Sequence, residues 1–262
     1  MSDPRLRNIL FTTDFSEASE TALPYASALA AMSGATLHLF HAVTPHDYDP
    51  QRVADEFASL TRFFEAEEGH ARDKLAGCSG TAAGGRIRTV QETRRGFSVP
   101  ALIMDYAAEQ AIDLIVMSTH GRRSLEQVVF GSVAEAVLRR CPCPAWLVRQ
   151  GMRPCLAPDG RGLHLDHVLI PTDFSANSTR PMGWLPVIRG ADGPHVHLLH
   201  AVEARFHPAY YAGGVESIFE LDPEARGRME EKIRRLFDLP ETGGPHTTIA
   251  LREGSPPATI IN

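Results

Sequence analysis

The chain has 262 residues, of which 43% are hydrophobic and 22% are charged, a composition typical of a globular protein of about two domains. Its formal net charge is -6 and its arginines are scattered along the chain, which argues against nucleic acid as a partner. It contains neither an apolar run of about 18 residues nor the apolar core of a signal peptide, so we expect a cytoplasmic protein with no membrane partner.

The first 150 residues alternate between short apolar stretches and segments of helical periodicity. Strands are predicted at 9–11, 37–43, 86–91, 113–118 and 145–149, and a glycine-rich loop at 77–85. The helices between them are predicted to begin after Ser16, near Val53, at Pro100 and at Ser132, with Gly34 ending the first. Strands that alternate with helices connect by right-handed crossovers, which predicts a parallel α/β sheet with helices on both faces.

Much of this pattern occurs a second time in the chain. The matching segments are 8–20 (NILFTTDFSEASE) with 167–179 (HVLIPTDFSANST), and 37–43 (LHLFHAV) with 196–202 (VHLLHAV), both at an offset of 159. Two motifs that keep their spacing indicate a duplicated domain. A third match, 95–101 with 253–258, lies a few residues before Asn262, and whatever follows residue 104 in the first copy has no counterpart in the second.

The repeat predicts a first domain at 1–150, a linker at 151–165 and a truncated second domain at 166–262. Prolines and glycines between 181 and 190 lower the helix propensity of the first predicted helix in the second copy. The second copy also lacks the fourth and fifth strands, which leaves its first strand at an edge of the sheet.

Polar residues and glycines follow the predicted strands at their carboxyl ends. Asp14 follows the first strand, Ala42 closes the second, and the fourth is followed by Ser118-x2-Gly121-x9-Gly131-Ser132. In open parallel sheets, ligands bind beyond the carboxyl ends of the strands, where the strand order reverses. A glycine and a hydroxyl at a helix N-terminus suit a phosphate, and a carboxylate suits a ribose hydroxyl or a base amine. The sequence therefore predicts a ligand site at this edge of the sheet.

Three motifs in this order resemble the universal stress protein family: Thr-Asp-Phe-Ser after the first strand, His-Ala-Val at the end of the second, and the glycine motif before the last helix. The resemblance covers the first domain and about three fifths of a second, and it implies two tandem Rossmann-like (HUP-type) parallel-sheet sandwiches, the second incomplete. It also implies an ATP-binding module of a cytoplasmic stress response. The cofactor-binding residues that it implies are Thr12, Asp14, Ala42, Ser118, Gly121, Gly131, Ser132 and Val133.

The chain departs from the family pattern at two of these positions. Ser118 stands where nucleotide-binding members have the first glycine of the motif, and Thr12 stands where a proline is common. If the first motif position requires a positive φ, serine costs about 1 kcal/mol there, and its side chain crowds the ribose. The departure at Ser118 therefore implies weakened ATP binding.

Each of these residues also has a purely structural interpretation. Asp14 is suited to capping the turn after a strand, and Gly131-Ser132 to a plain helix start. His38 and His41, like their counterparts in the second copy, are spaced by three residues, which places them on opposite faces of a strand. That spacing favours packing or hydrogen bonding over a metal site. We favour the ligand interpretation for the set because independent segments converge on one predicted crevice.

Other functions and an assembly follow from the same features. The alternative function is a partner-binding scaffold of the same fold that holds no nucleotide. The chain contains no Gly-x-Ser-x-Gly motif, Walker loop or paired base and nucleophile, so we expect at most weak ATP hydrolysis. The strand around Leu147 has no counterpart in the second copy, and an exposed apolar edge strand recruits another chain. This predicts a homodimer through that strand.

Overall fold

The computed structural model describes residues 5–45, 56–81, 87–120, 131–152, 154–157, 162–188, 193–203, 217–240 and 246–261, and the structural statements below concern these residues. The chain divides into two compact units, one over Arg5–Leu163 and one that contains His164–Asn262. Leu156 and Leu163 form an antiparallel bridge within the first unit. The boundaries expected at 150 and 165 stay predictions.

The first unit is built on a parallel sheet of five strands in the order β3-β2-β1-β4-β5. The strands are β1 (Asn8–Thr12), β2 (Thr36–Val43), β3 (Thr89–Arg95), β4 (Leu114–Ser118) and β5 (Ala145–Val148). The chain runs outward from β1 to β3 and then returns to the other side of β1 with β4. The strand order therefore reverses between β1 and β4, where parallel sheets of this kind bind ligands.

The helices described between these strands are α1 (Glu17–Glu20), α2 (Leu23–Ser33), α3 (Glu56–Thr81), α4 (Val99–Glu109) and α5 (Ser132–Leu138). The predicted caps are confirmed, because the Ser16 side chain accepts from the Ser19 N–H and Gly34 ends α2 with a φ of 67°. The crossovers through α2 and α3 run in the opposite direction along the sheet from those through α4 and α5. With right-handed connections the two pairs cover opposite faces of the sheet.

The predicted loop at 77–85 is wrong for its first residues, because α3 continues through Gly77 and Gly80 to Thr81. The buried side chain of Leu75 anchors this part of the helix, and the Ser79 hydroxyl lies 2.6 Å from the Thr89 hydroxyl at the start of β3. The strand predicted at 86–91 also lies farther along the chain. β3 extends from Thr89 to Arg95 because these residues pair with Leu37–Val43 of β2.

The second unit contains a parallel sheet of three strands, β6 (His167–Pro171), β7 (His195–Val202) and β8 (Thr247–Glu253), with β7 in the centre. A 3-10 helix covers Ala176–Trp184, and the α-helices are α6 (Leu185–Ile188), α7 (Ile218–Leu221), α8 (Ala225–Leu236) and α9 (Pro256–Ile261). The low helix propensity predicted after β6 is thus reflected in a 3-10 helix.

The pairing of β6 with β7 repeats that of β1 with β2 residue for residue, since Asn8 pairs with Thr36 and His167 with His195. The expected fold class, two tandem Rossmann-like parallel sheets of which the second is smaller, is confirmed. In the described parts of the chain, no helix combines the length and the apolar character that crossing a membrane requires.

Candidate functional site

A cavity of about 480 Å³ lies at the carboxyl ends of β1, β2 and β4. Residues from the end of each of these strands line it, together with the segment that begins α4 and the first turn of α5. Its volume is within the range of sites that hold a molecule of nucleotide size. Because the ends of β1 and β4 both line it, the cavity lies where the strand order reverses.

The structure brings seven of the eight predicted site residues to this cavity. Those that line it are Thr12, Asp14, Ala42, Ser118, Gly131, Ser132 and Val133. Gly121, the eighth, lies outside the described residues. The cavity is also lined by Phe97, Ser98 and Val99, which the sequence pattern does not predict, because it places the end of the third strand at 91 and not at 95. Whether these residues hold a ligand stays a prediction at this point.

The turn after β1 is held by its own side chains. The Thr13 hydroxyl accepts from the Phe15 N–H (2.9 Å) and is hydrogen-bonded to the Ser19 hydroxyl (2.9 Å). Asp14 Oδ1 accepts from the backbone N–H and the hydroxyl of Ser16 at 3.0 and 2.6 Å. The capping role considered for Asp14 is thus present, and the same residue lines the cavity.

The two histidines of β2 make hydrogen bonds within the first unit. His41 Nδ1–H donates to the carbonyl of Thr13 (2.8 Å), and its ring centroid lies 4.4 Å from that of Phe15. His38 Nδ1 is hydrogen-bonded to the Tyr106 hydroxyl of α4 (2.8 Å), and burial lowers the pKa of His38. Over the described ranges, no three His, Cys, Asp or Glu side chains are arranged to hold a metal ion.

Ser118 ends β4 in extended pairing with Val148, and it is not among the residues with a positive φ. Its hydroxyl accepts from the His120 N–H (3.3 Å) and is buried with the rest of the residue. The condition for strain at this position, a positive φ, is therefore not met, because strand geometry suits any L-amino acid. The weakened ATP binding that the departure implies stays a prediction. The side chain fixes the start of the segment that leaves the strand.

Gly131 is the N-cap of α5, with a φ of -66°. Its N–H donates to the carbonyl of Thr119 (2.7 Å). A Cβ at this position would lie 3.2 Å from the same carbonyl oxygen. Glycine fits because two backbone segments approach closely here, and the donors of the helix start are the N–H groups that follow Gly131.

The described lining of the cavity carries no lysine or arginine, and its ionisable side chains are Asp14, His41 and His120. Hydroxyl groups are numerous, and include the buried Thr44 and Thr119, the latter 2.8 Å from His120 Nδ1. Apolar side chains of α4 and β4 complete the surface. The described lining therefore offers hydrogen-bonding hydroxyl groups beside an apolar surface.

Comparison with known proteins places this architecture in a family. The model of the universal stress protein family matches residues 5–149, which is more than half of the chain. This chain belongs to the universal stress protein family. The family resemblance stated from the motifs is thereby confirmed, and the match covers the unit that contains the cavity.

Relatives and solved structures agree with the family assignment. A universal stress protein of Staphylococcus haemolyticus is 30% identical over 145 residues, which cover 55% of this chain and 84% of that protein. The universal stress protein structure from Lactobacillus plantarum has a TM-score of 0.50 and 28% identity, and it covers 55% of this chain and 99% of its own. One from Archaeoglobus fulgidus has a TM-score of 0.63 at 18% identity, covers 97% of this chain and 79% of its own, and shows likeness of fold alone.

Proposed function

We propose that the first unit binds an adenine nucleotide, with ATP as the expected ligand, and that the chain acts as a nucleotide-binding module of a cytoplasmic stress response. One observation carries this proposal: residues from three strand ends and from the start of α5 surround one cavity of nucleotide size. Membership of the universal stress protein family supports it, because the family motif selects residues that surround the same cavity.

The chemistry of the lining supports a nucleoside with a phosphate tail. The apolar side chains of Val99, Ile103 and Met117 offer contacts to a purine ring. The carboxylate of Asp14 is an acceptor for a ribose hydroxyl or a base amine, and Ser132 with the N–H groups of the first turn of α5 offers donors to phosphate oxygens. Each half of the ligand thus has groups of matching chemistry.

Isothermal titration with ATP tests the proposal on three variants and the wild type. Gly131→Glu adds an anionic side chain beside the backbone of Thr119 and should abolish binding. Asp14→Asn keeps the size of the side chain and removes its charge, so it should weaken binding while the fold is retained. Gly69→Glu adds the same charge on α3, where nothing lies within 4 Å of a new Cβ, and should bind as the wild type does.

The titration also measures the number of sites. The second unit contains counterparts of Asp14 and Ala42 in Asp173 and Ala201, but its described strands include no counterpart of β4 followed by α5. We therefore expect one nucleotide per chain. A wild-type protein that binds no adenine nucleotide would contradict the proposal and favour the scaffold alternative.

A further inference from the structure

The chain contains 24 arginines and only two lysines, and the two lysines occupy equivalent places in the two units. Lys74 of α3 lies over the ring of Phe15, with Nζ 5.1 Å from the ring centroid. Lys232 of α8 lies over the ring of Phe174 at 4.3 Å. The other described cation–π contacts of the chain use arginine, as at Tyr106 and Phe219. The lysine contact therefore belongs to the repeat and not to one surface patch.

Both phenylalanines have a backbone conformation that bulky residues rarely adopt. The φ of Phe15 is 58° and that of Phe174 is 65°. A non-glycine residue in this left-handed region is unfavourable, and it persists only where its surroundings hold it in place. Residues of this kind concentrate at ligand-binding segments. Neighbouring groups must therefore stabilise each phenylalanine in this backbone conformation.

Three groups contact the phenylalanine in each unit: a threonine hydroxyl at its backbone N–H, and a histidine ring and a lysine ammonium group at its ring. The Phe15 N–H donates to Thr13 Oγ1 at 2.9 Å, and the Phe174 N–H to Thr172 Oγ1 at 3.1 Å. His41 lies against the ring of Phe15 and binds the Thr13 carbonyl. In the second unit His200 is 4.0 Å from the ring of Phe174 and binds the Thr172 carbonyl at 2.8 Å. We call the four residues Thr13, Phe15, His41 and Lys74 the clamp.

Two residues of the clamp flank Asp14 in the sequence, since Asp14 lies between Thr13 and Phe15. Asp14 lines the cavity together with Thr13 and His41. The only freely rotatable backbone angles between the Cα atoms of Asp14 and Phe15 are ψ of Asp14 and φ of Phe15. A change of φ at Phe15 therefore redirects the segment that carries the Asp14 carboxylate. Lys74 itself is exposed on α3 and is not part of the described lining.

We propose that Lys74 is a positioning residue, which holds Phe15 in its left-handed conformation and thereby directs Asp14 into the cavity. The ammonium group is attracted to the face of the ring, and this attraction offsets part of the backbone strain. Where it concerns ligand affinity, this inference rests on the proposed nucleotide function. Lys232 does the same for Phe174 in the second unit, which supplies a matched control inside the same chain.

The binding experiment compares Lys74→Met, Lys74→Arg and Lys232→Met with the wild type, using both adenosine and ATP as probes. Methionine keeps the apolar stem of the lysine and removes its charge. Lys74→Met should weaken the binding of both ligands by about two- to fivefold, the effect of one exposed cation–π contact. Lys74→Arg should retain the wild-type affinity because it keeps a cation over the ring of Phe15. Lys232→Met should also bind as the wild type does.

Adenosine separates positioning from simple charge attraction, because it carries no phosphate. Weaker binding of ATP with unchanged binding of adenosine would overturn the proposal, since it would mean that Lys74 acts on the phosphates through space. Unchanged binding of both ligands by Lys74→Met would also overturn it.

Hydrogen exchange of the ligand-free protein tests the clamp without any nucleotide. Lys74→Met should speed exchange in peptides that cover residues 11–20 by about two- to fivefold, and Lys232→Met should do so only in those that cover 170–179. If the wild type binds neither adenosine nor ATP, the proposed function fails, and exchange alone then decides whether Lys74 holds Phe15. Unchanged exchange at residues 11–20 in Lys74→Met overturns the inference in either case.

Discussion

Gly131 lies so close to the carbonyl of Thr119 that a larger residue must displace backbone at the rim of the cavity. Because that contact is with backbone and a Cβ would approach it to 3.2 Å, we expect Gly131→Ala to lower the free energy of unfolding by about 1 kcal/mol. Urea denaturation measures this change. Gly69→Ala is the control, and it should raise the free energy of unfolding by about 0.5 to 1 kcal/mol, since Gly69 lies in α3 with open space around it. A shift of the same sign in both variants would contradict the argument.

The identities of seven cavity residues could be predicted from the sequence, but the backbone conformations at the site could not. Strand ends and the glycine motif selected residues that line one cavity, because parallel strands bring their carboxyl ends to one edge. The positive φ considered for Ser118 does not occur, since the residue pairs within the sheet and its hydroxyl accepts from the His120 N–H. The positive φ of Phe15 had no signal in the sequence, because only a glycine or asparagine would have indicated it.

The contact between His38 of β2 and Tyr106 of α4 makes the packing of these two elements sensitive to acid. Burial, followed by the charge of Arg88, lowers the pKa of His38, so the fold holds the neutral imidazole while the unfolded chain binds a proton near pH 6.5. The stabilisation is therefore present above about pH 6.5 and is lost as the pH falls below it. Burial raises the pKa of Tyr106 to about 12, so its hydroxyl stays protonated throughout this range.

Chemical denaturation between pH 5 and 8 measures this dependence. We expect the free energy of unfolding of the wild type to fall more steeply below about pH 6.5 than that of His38→Gln, which keeps a polar side chain that does not titrate. Parallel curves for the two proteins would show that His38 does not carry the acid sensitivity.

Hydrophobic periodicity predicted β1, β2, β4 and β5 to within about one residue, because each is an apolar run between turn residues. It failed for the end of α3 and for β3. Glycines predicted a loop, but the buried Leu75 and its neighbours supply tertiary packing that outweighs the low helix propensity of exposed glycine. β3 is a polar edge strand, whose bounds are set by its pairing with β2 and not by its own hydrophobicity.

For the assembled protein, β5 gives the strongest expectation. It lies at the edge of the five-stranded sheet. The carbonyls of Pro144, just before β5, and of Val148 accept from the N–H groups of Ile115 and Thr119, so these two residues direct their backbone groups toward β4. Since alternate residues of a strand direct their N–H groups to opposite sides, the N–H of Leu147 points away from β4. An apolar strand with outward-facing donors is suited to pairing with a symmetric copy of itself.

We therefore expect a homodimer through β5, which light scattering would report at about twice the chain mass of 28.7 kDa. Leu147→Pro removes an outward N–H without removing a bond to β4, so it should shift the protein toward the monomer. Leu147→Ala loses similar packing but keeps the N–H, and it should remain dimeric. A wild-type monomer at micromolar concentration would contradict the predicted homodimer.

The hydrogen bond from Gly131 to Thr119 brings together the two ends of the segment between β4 and α5. Thr119 follows β4 and Gly131 begins α5, and both residues line the cavity. A displacement of the Thr119 carbonyl is therefore transmitted directly to the start of α5. A substitution that moves either backbone group should disturb two sides of the cavity at once.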